Sequence, residues 1–470
     1  MTDNTVISKS GLIISETRVK EFQASLKGVL VRPRDSSYDA CRRVWNGMID
    51  RYPSMIVYCG DEGDVVNAVK FARNTDLLVA VRSGGHNVAG NAVCDGGMVI
   101  DLSRMKKTEA NEASGTVTVQ AGLTLGELDK ATQACGMAVP VGIVSKTGLA
   151  GLTLGGGIGW LMRRYGLTCD NLLSVNIVTA DGGVLTAGTE ENADLFWGIR
   201  GGGGNFGIAT RFTFRMYPLE SIMGGIVFYP DSAVYDVCHR YRDFISTAPD
   251  ELTTMLAFLR APTPFLPDSI HGDPLIGLHV FYAGPEEEGE KIVKPLRSFV
   301  PPLRDMVKIM PYIQMQSMLD SGAPPGLQNY WKSSYLTRLD DDVFKIISDH
   351  FNSSPSSLTQ IHIQHMQGAV SRVGENETAF SHRDALCVIN IVSKWIDPGE
   401  SEKNIEWTRA LSHALEPYSA GAYINFMSEE GQDRVKAGYS SANYKRLVEL
   451  KNKYDPGNLF SLNQNIRPSV

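Results

Sequence analysis

The chain has 470 residues, with 45 Lys or Arg against 52 Asp or Glu, so its formal net charge is -7. That length fits one large domain or two ordinary ones, and the apolar and charged fractions are those of a globular protein. The modest acidic excess, with no Lys/Arg-rich block to offset it, argues against a nucleic-acid partner. No apolar run reaches transmembrane length, so we expect no membrane partner.

The N-terminal residues and the cysteines point to a reducing compartment. The chain opens without a basic segment followed by an apolar one, so we predict no secretory signal and a cytoplasmic location. The cysteines are odd in number and contain no Cys-x-x-Cys, which favours buried free thiols over disulfides or a zinc site. They are Cys41, Cys59, Cys94, Cys135, Cys169, Cys238 and Cys387. His362 and His365 lie in an alternating, strand-like segment that sends them to opposite faces, so we expect no metal there.

A glycine-rich segment follows the first apolar strand. Residues 63–72 have helical spacing, and the apolar run 77–81 predicts a buried strand. That strand leads into Arg-Ser-Gly-Gly-His-Asn-Val-Ala-Gly, residues 82–90. Tandem glycines let the backbone approach an anion, and consecutive N–H groups form an anion-binding nest. We expect Arg82 to add charge and Ser83 a hydroxyl to a bound diphosphate, although this segment alone is equally typical of a surface turn.

The remaining pattern predicts an α+β protein. Strands are expected at 99–102, 116–119 and 177–180, and a helix at 123–132 with a capping box formed by Thr124 and Glu127. Beyond residue 218 the character changes to long alternating runs, such as 275–282 and 386–392, separated by charged helical stretches, such as 340–347. We therefore expect a second domain with an antiparallel sheet flanked by helices.

A dinucleotide motif of the Rossmann type is a rival explanation for the second glycine cluster. Residues 202–207 satisfy Gly-x-Gly-x-x-Gly, which binds a pyrophosphate only when a strand precedes it and a helix follows. Here a helical pattern precedes it, and the alternating residues 208–214 follow it. A nicotinamide site at this position is therefore not expected.

Four motifs in order carry a family resemblance. After the 82–90 loop come Thr-Gly-Leu-Ala-Gly-Leu-Thr-Leu-Gly-Gly-Gly-Ile-Gly at 147–159 with Asp-Asn at 170–171, then Asp-Leu-Phe-Trp at 194–197 with Arg-Gly-Gly-Gly-Gly-Asn-Phe-Gly-Ile at 200–208. Last comes Tyr-Asp-Pro-Gly-Asn-Leu-Phe at 454–460 with Asn-Gln-Asn-Ile at 463–466. The ordered set resembles the family named for vanillyl-alcohol oxidase and p-cresol methylhydroxylase (PCMH). More closely it resembles the berberine-bridge-enzyme-like branch, of the bacterial and fungal type that includes 6-hydroxynicotine-oxidase-like enzymes.

The resemblance implies an FAD-linked oxidoreductase. Its implied domains are an N-terminal segment 1–27, a PCMH-type FAD-binding domain 28–218, a substrate domain 219–425 and a segment 426–470 that returns to the FAD domain. The implied cofactor-binding residues are Arg82, Ser83, Gly84, Gly85, His86, Asn87, Gly90, Thr147, Gly148, Gly151, Gly155, Gly156, Gly159, Asp170, Asn171, Gly207, Ile208, Asn463 and Asn465.

The same resemblance implies one covalent flavin bond, through His86 to the 8α-methyl group. Neutral imidazole is a suitable nucleophile near neutral pH. Some relatives add a bond from Cys to flavin C6, but Val144 stands at that position here, so we expect no cysteinyl link. Leu152 replaces a His that contacts the pyrimidine end of the flavin in some relatives.

Three residues are implied to act in the reaction. Thr147 matches the residue that influences oxygen access to the flavin, and a turn-capping role is equally compatible with its position. Asn390 replaces the Glu of berberine-bridge enzymes and can orient a substrate but not act as a base. Tyr423 is the candidate to assist deprotonation, with a core position as its alternative, and it needs a cationic or hydrogen-bonding neighbour such as Arg383 or Lys394. His362 and Gln364 are weaker candidates.

The implied reaction is oxidation of an activated C–H bond in a small alcohol, amine or specialised metabolite, with O₂ reduced to H₂O₂. The alternatives are a flavin dehydrogenase with another acceptor and a flavin-binding protein without activity. We expect a monomer or homodimer. The substrate itself depends on side chains of the second domain that the sequence does not order in space.

Overall fold

The computed structural model describes residues 5–262 and 264–469. Within them the strands are, in chain order, β1 (Val6–Ile7), β2 (Ile13–Ile14), β3 (Val29–Val31), β4 (Met55–Tyr58), β5 (Val79–Arg82), β6 (Met98–Asp101), β7 (Thr108–Asn111), β8 (Thr116–Gln120), β9 (Met137–Ala138), β10 (Leu172–Val178), β11 (Val184–Gly188), β12 (Ile208–Arg215), β13 (Tyr217–Pro218), β14 (Ser221–Pro230), β15 (Leu252–Arg260), β16 (Pro274–Tyr282), β17 (Arg304–Asp305), β18 (Lys308–Pro311), β19 (Gln328–Leu336), β20 (Gln360–His365), β21 (Cys387–Trp395) and β22 (Ser419–Gly421).

The α-helices are α1 (Glu16–Ala24), α2 (Tyr38–Arg42), α3 (Glu62–Asn74), α4 (Leu125–Gln133), α5 (Leu149–Leu154), α6 (Met162–Tyr165), α7 (Ala193–Ile199), α8 (Val234–Ile245), α9 (Glu286–Val293), α10 (Tyr312–Gln316), α11 (Asp341–Asn352), α12 (Ala369–Arg372), α13 (Ser401–Ala414), α14 (Gln432–Ala437) and α15 (Ser441–Tyr454). The α+β class expected from the sequence is confirmed, with helices and strands interleaved along the whole chain.

Two sheets form the N-terminal part. Strands β3-β4-β6-β5 make a four-stranded sheet in which β4, β6 and β5 are parallel, and β11-β10-β12-β8-β7 make an antiparallel sheet of five. Their buried faces share one hydrophobic core, to which Val57, Ile100, Val117, Val175 and Phe212 all belong. Parallel strands covered on both faces read as continuous apolar runs, which is why the sequence pattern located β5 and β6.

Local capping fixes the helices of this part. Helix α3 begins after Asp61, whose side chain accepts a hydrogen bond from the Asp64 amide. Helix α4 begins after Thr124, and the Thr124 amide donates to Glu127 Oε2 over 2.9 Å, as the capping-box pattern predicted. Such caps contribute about 1 kcal/mol each. They fix the start of α4 at the turn that carries Thr147, because the Leu125 amide donates to the Thr147 carbonyl over 2.9 Å.

A large antiparallel sheet dominates the second part. Its strand order is β17-β14-β16-β15-β20-β21-β19-β22, with β18 also paired to β14. Alternate residues of each strand point to opposite faces. One face packs Ile363, Ile389 and Ile391 against helices α8, α11 and α13 in a separate hydrophobic core. We call the opposite face, which carries Trp331, Ser333, His362 and Asn390, the front face.

The C-terminal residues return to the first part. Leu450, Leu459, Phe460 and Ile466 belong to the same hydrophobic core as the two N-terminal sheets. Lys451, fully buried, pairs with Asp455 at 2.7 Å and also donates to the carbonyls of Asn205 (2.8 Å) and Phe460 (3.1 Å). Breaking a buried pair of this kind typically costs about 3–5 kcal/mol, so this pair ties the last segment to the glycine cluster near residue 205.

The surroundings of the second glycine cluster agree with the sequence analysis. Helix α7 precedes it and strand β12 follows it, so no helix N-terminus faces the glycines. Among the residues that the structure describes, no helix is long and apolar enough to span a bilayer.

Candidate active site

The loop after β5 lies at the meeting point of the two parts. Arg82 forms a buried ion pair with Asp101, its neighbour across the parallel strands, and its Nη2 donates to the Cys41 carbonyl over 2.8 Å. Ser83 Oγ donates to the Ala121 carbonyl over 2.6 Å. Arg82 is thus paired with Asp101 and the Ser83 hydroxyl donates to Ala121, so both side chains hold the loop in place, and their contact with a diphosphate stays a prediction.

The 82–90 loop packs so closely against residues 147–148 that its backbone, and not side chains, lines the contact between them. A Cβ on Gly84 would lie 2.5 Å from the backbone of Gly148, so no larger residue fits between the two loops. Gly85 and Gly90 adopt positive φ values of +69° and +77°, which favour glycine. Asn87 Oδ1 accepts a hydrogen bond from the Asn91 amide over 3.0 Å. The 82–90 and 147–148 segments therefore form one continuous backbone-lined cradle.

The next glycines extend this cradle. Gly156 (φ +126°) packs on Phe380, and Gly157 (φ +88°) packs on Thr168. Gly155 lies against the Asn425 side chain, and Gly159 against the Val141 carbonyl. A Cβ on Gly151, by contrast, would meet no atom within 4 Å, so the surface of α5 is open at this residue. Close backbone approach on one side and open space on the other are what a large ligand requires.

Two asparagines of the C-terminal segment add unused acceptors. Asn463 Nδ2 donates to the carbonyls of Phe460 (2.9 Å) and Gly204 (3.3 Å), but its Oδ1 is buried without a partner. Asn465 Oδ1 is also buried without a partner. Buried polar atoms are normally satisfied, so these two atoms and the glycine cradle fit a polar cofactor such as FAD.

Four other predicted cofactor residues are occupied by structural contacts. The Asp170 carboxylate pairs with Arg383 at 2.6 Å and accepts the Leu167 amide at 2.9 Å. Asn171 Nδ2 donates to the Leu167 carbonyl over 2.9 Å. Gly207 packs against Ile177 and Ile208 begins β12 as a buried residue. These residues shape the wall of the cradle, and Asp170 joins the two parts of the molecule through Arg383.

His86 is held by stacking. Its ring lies 5.1 Å from that of Trp45, nearly parallel, and Trp45 in turn meets Trp331 of β19 edge-on at 5.5 Å. Burial lowers the pKa of His86 to about 4, with Asp320 opposing that shift. The imidazole is therefore neutral near neutral pH, which is the form required of a nucleophile.

Thr147 lies in the turn that contacts the His86 loop. Its amide donates to the Val144 carbonyl over 3.1 Å, and its side chain is half-buried. All seven cysteines are free thiols. Cys169 is fully buried behind Tyr335 and Phe380, away from Val144. The carbonyl of Leu152 accepts Asn425 Nδ2 over 3.1 Å, so Asn425 occupies the neighbourhood of the replaced His.

Asn390 lies on the front face, in the middle of the large sheet. It pairs in register with Ser333 of β19 and His362 of β20, and its Oδ1 is buried without a partner. On β20, Gln364 Nε2 is also buried without a partner, whereas His362 Nε2 contacts Gln360 Oε1 at 2.9 Å. His365 points to the other side, next to Arg163, so the two histidines of β20 do not converge.

Tyr423 reaches the same face from the segment after β22. Ser333 Oγ accepts its amide over 3.0 Å, which places Tyr423 next to the cross-strand neighbour of Asn390. The Tyr423 hydroxyl accepts hydrogen bonds from the Gly157 amide and Asn425 Nδ2, both at 2.9 Å. Burial raises the pKa of Tyr423 to about 12 despite these donors. A phenol with this pKa is protonated near neutral pH.

The cations that we expected beside Tyr423 are engaged elsewhere. Arg383 pairs with Asp170, and Lys394 Nζ donates to the Gly322 carbonyl over 2.9 Å. Lys394 lies on the front face, four positions beyond Asn390 on β21, and sequence analysis considered it only as a neighbour of Tyr423. The alternation of β21 carried the signal, because residues an even number apart share a face.

Comparisons with known proteins match two separate parts of the chain to two family models. The family described as FAD binding domain matches residues 53–188, and the family described as berberine and berberine like matches 422–467. An FAD-linked oxidoreductase of Dictyostelium discoideum is 34% identical over 457 residues, covering 96% of this chain and 97% of that protein. The chain belongs to the berberine-bridge-enzyme-like family of FAD-linked oxidoreductases.

One further relative and two solved structures are similar to this chain over nearly its whole length. The (R)-6-hydroxynicotine oxidase of Paenarthrobacter nicotinovorans is 30% identical over 457 residues, covering 94% of this chain and 97% of that protein. The solved structure of 6-hydroxy-D-nicotine oxidase from Arthrobacter nicotinovorans superposes with a TM-score of 0.85 at 29% identity, covering 95% of this chain and 99% of that chain. The BBE-like 1 protein of Physcomitrella patens gives the same TM-score at 25% identity, covering 94% and 97%. The protein is thus an FAD-linked oxidoreductase of this family, and the family resemblance drawn from its four motifs is confirmed.

Proposed function

We propose that this protein is an oxidase that removes a hydride from an activated C–H bond of a small alcohol, amine or specialised metabolite and passes the electrons to O₂, giving H₂O₂. The observation that carries the proposal is the pair of unpartnered buried groups, Asn390 Oδ1 and Gln364 Nε2, on a sheet face next to the glycine cradle. Polar groups without partners at such a position are suited to orienting a bound molecule.

The cradle holds the cofactor in this proposal. FAD supplies the two-electron acceptor, and the protein supplies binding, orientation and electrostatics. The backbone of residues 83–87 and 147–148 would hold the diphosphate, the open side of α5 at Gly151 would leave room for the cofactor, and Asn463 and Asn465 would offer their free acceptors. Arg82, Asp170 and Asn171 support this surface through the contacts described above. The division into an FAD domain (28–218 with 426–470) and a substrate domain (219–425) is part of the proposal.

His86 carries a single covalent flavin link in this proposal. Support comes from its neutral, Trp45-stacked imidazole and from Val144 at the position where other relatives have Cys. Denatured protein should retain its flavin on a filter, and peptide mapping should find flavin mass on the His86 peptide alone. His86→Ala should release the flavin on denaturation. Complete loss of flavin from denatured wild type, or an adduct on Cys135 or Cys169, contradicts the proposal.

The reacting residues take the following roles. Asn390 orients the substrate, and Thr147, in contact with the His86 loop, controls access of O₂. Tyr423 interacts with the substrate side as a protonated hydroxyl, because its pKa of about 12 opposes a phenolate near neutral pH. We expected a cationic or hydrogen-bonding neighbour to make Tyr423 a base; the Gly157 amide and Asn425 Nδ2 supply the hydrogen bonds, and the raised pKa favours the protonated form.

The test is reduction and reoxidation of the purified yellow protein. Anaerobic mixing with candidate alcohols and amines should bleach the flavin absorbance for some of them, and air should restore it with release of H₂O₂. Bleaching that only an artificial electron acceptor reverses identifies a dehydrogenase instead. If no compound of these classes bleaches the protein, the proposed reaction is wrong.

A further inference from the structure

Lys394 is a buried cation without a counter-ion. It lies near the end of β21 with 6% of its side chain exposed, and its Nζ makes one hydrogen bond, to the Gly322 carbonyl. In the part of the chain that the structure describes, no Asp or Glu oxygen lies within 4 Å of it. An ammonium group has three donors, so two remain available.

The other buried lysine of the described residues, Lys451, has different surroundings. Lys451 is paired with Asp455 and also donates to two carbonyls, which satisfies all three of its donors. Burying an ammonium without such compensation is costly, so an uncompensated one indicates a group that arrives from outside the chain. Burial lowers the pKa of Lys394 to about 8, which still leaves it mostly charged at neutral pH.

Lys394 lies on the same face of β21 as Asn390, so its charge acts on the front face. Burial, His279 and Lys394 together lower the pKa of His362 to about 3, so the ammonium acts on the centre of that face. His362 remains neutral and half-buried there. Asn390 Oδ1 and Gln364 Nε2, with 3% and 4% of their side chains exposed, are the unpartnered polar atoms on either side of His362. One row of the front face therefore carries Gln364, Asn390 and Lys394, with the apolar Val392 between the last two.

Lys394 and Tyr423 lie at opposite ends of the front face. Val392 pairs with Trp331, which meets Trp45 and through it His86, and Lys394 lies two residues beyond Val392. Tyr423 and Gly157 lie at the opposite end, next to Val388. Asn390 and Lys394 are four strand residues apart, which is about 13 Å along the backbone, so the two side chains lie at different positions on the face.

The wall beside this row is apolar. His362 pairs with Ala257, and beyond Ala257 lies Gly277, so small side chains flank the histidine. Leu259, Phe228 and Leu266 form a hydrophobic cluster with Ala257. The surface thus combines a polar centre with apolar side chains beside it, in the cluster of Ala257, and with a positive end at Lys394.

We propose that Lys394 binds a carboxylate, or an oxygen of comparable acidity, at the end of the substrate remote from the C–H bond that reacts near Asn390. This inference rests on the proposed function and narrows its substrate class to small, largely apolar acids. In binding, the two free ammonium donors of Lys394 contact the acid oxygens while the hydrogen bond to Gly322 fixes the side chain.

The experiment compares a matched acid and amide on the flavin-loaded protein. Binding of 3-phenylpropanoate and of 3-phenylpropanamide is measured by calorimetry near neutral pH. Charge-assisted hydrogen bonds predict about ten- to a hundredfold tighter binding of the acid. Lys394→Met should abolish this preference, and Lys394→Arg should restore most of it. Lys445→Met is the control, because it removes an exposed cation of helix α15.

The outcomes separate this inference from the proposed function. Equal binding of acid and amide, no binding of the acid at millimolar concentration, or a preference that survives Lys394→Met overturns the role of Lys394. Acid preference in a protein that no candidate substrate bleaches leaves the binding site in place and removes the oxidase. Flavin bleaching by a neutral amine or alcohol, together with equal binding of the acid and the amide, supports the oxidase and overturns the role of Lys394.

Discussion

The two sides of the candidate site are built from different parts of the chain in different ways. The cofactor side consists of backbone, in the 82–90, 147–159 and 200–208 segments, and its charged side chains are already paired, as Arg82 is with Asp101. The substrate side consists of side chains from separate strands, several of them without partners, as Asn390 and Gln364 are. In the proposed function, the cofactor is thus held by the shape of the backbone, and the substrate is bound by individual side chains.

The cofactor side should be the less tolerant of substitution. Gly84→Ala places a Cβ 2.5 Å from the Gly148 backbone, so the two loops must separate. We expect loss of bound FAD, measured as the ratio of flavin to protein absorbance after purification. Gly457→Ala is the control, because a Cβ there meets no atom within 4 Å. A Gly84→Ala protein with the flavin content of wild type contradicts the backbone-cradle description.

Tyr423 tests the boundary between the two sides, because it contacts Gly157 of one and Ser333 of the other. Tyr423→Phe leaves the Gly157 amide without its acceptor and removes one of the two acceptors of Asn425 Nδ2, so we expect anaerobic flavin reduction to slow by about ten- to a hundredfold. Since the hydroxyl stays protonated, the pH profile near neutrality should keep its shape. Loss of an inflection in that profile, measured by stopped flow, would restore Tyr423 as the base.

Thr147 should affect the reaction with oxygen and spare the reaction with substrate. Thr147→Leu adds bulk beside the His86 loop, so we expect a severalfold slower reoxidation in air and nearly unchanged anaerobic reduction. Thr147→Ser serves as the control, since it preserves both the hydroxyl and the small volume. Equal slowing of both half-reactions by Thr147→Leu would show that the residue only shapes the turn.

Sequence reasoning succeeded where the signal is local. The capping box of α4, the strand into the His86 loop and the strand after the second glycine cluster follow from neighbouring residues, and each is present. It did not predict the ion pair of Arg82, because the partner carboxylate lies on another strand. Both β5 and β6 were predicted, but only their parallel register places Arg82 opposite Asp101.

Sequence reasoning predicted still less about the residues of the substrate side. Asn390 was found through the family pattern, yet Lys394 on the same strand was considered only as a neighbour of Tyr423. Its actual surroundings depend on the order β20-β21-β19 and on the loop that carries Gly322, which no local pattern encodes. Burial and partner choice are set by contacts distant in sequence, so unpartnered groups are visible only in the folded chain.

The smallest expected effect concerns the pH dependence of acid binding. The pKa of Lys394 is lowered by burial to about 8, so its cation is present below that pH and is lost as the pH rises through it. His362, on which the Lys394 charge acts, and His279 have pKa values lowered to about 3 and about 4 and remain neutral throughout. Binding of 3-phenylpropanoate should therefore weaken about fourfold between about pH 7 and about pH 8.5, while binding of the amide stays constant. Lys394→Arg should remove this pH dependence, because guanidinium does not deprotonate in that range. Acid binding that stays constant through this range in wild type would mean that the Lys394 ammonium does not contact the ligand.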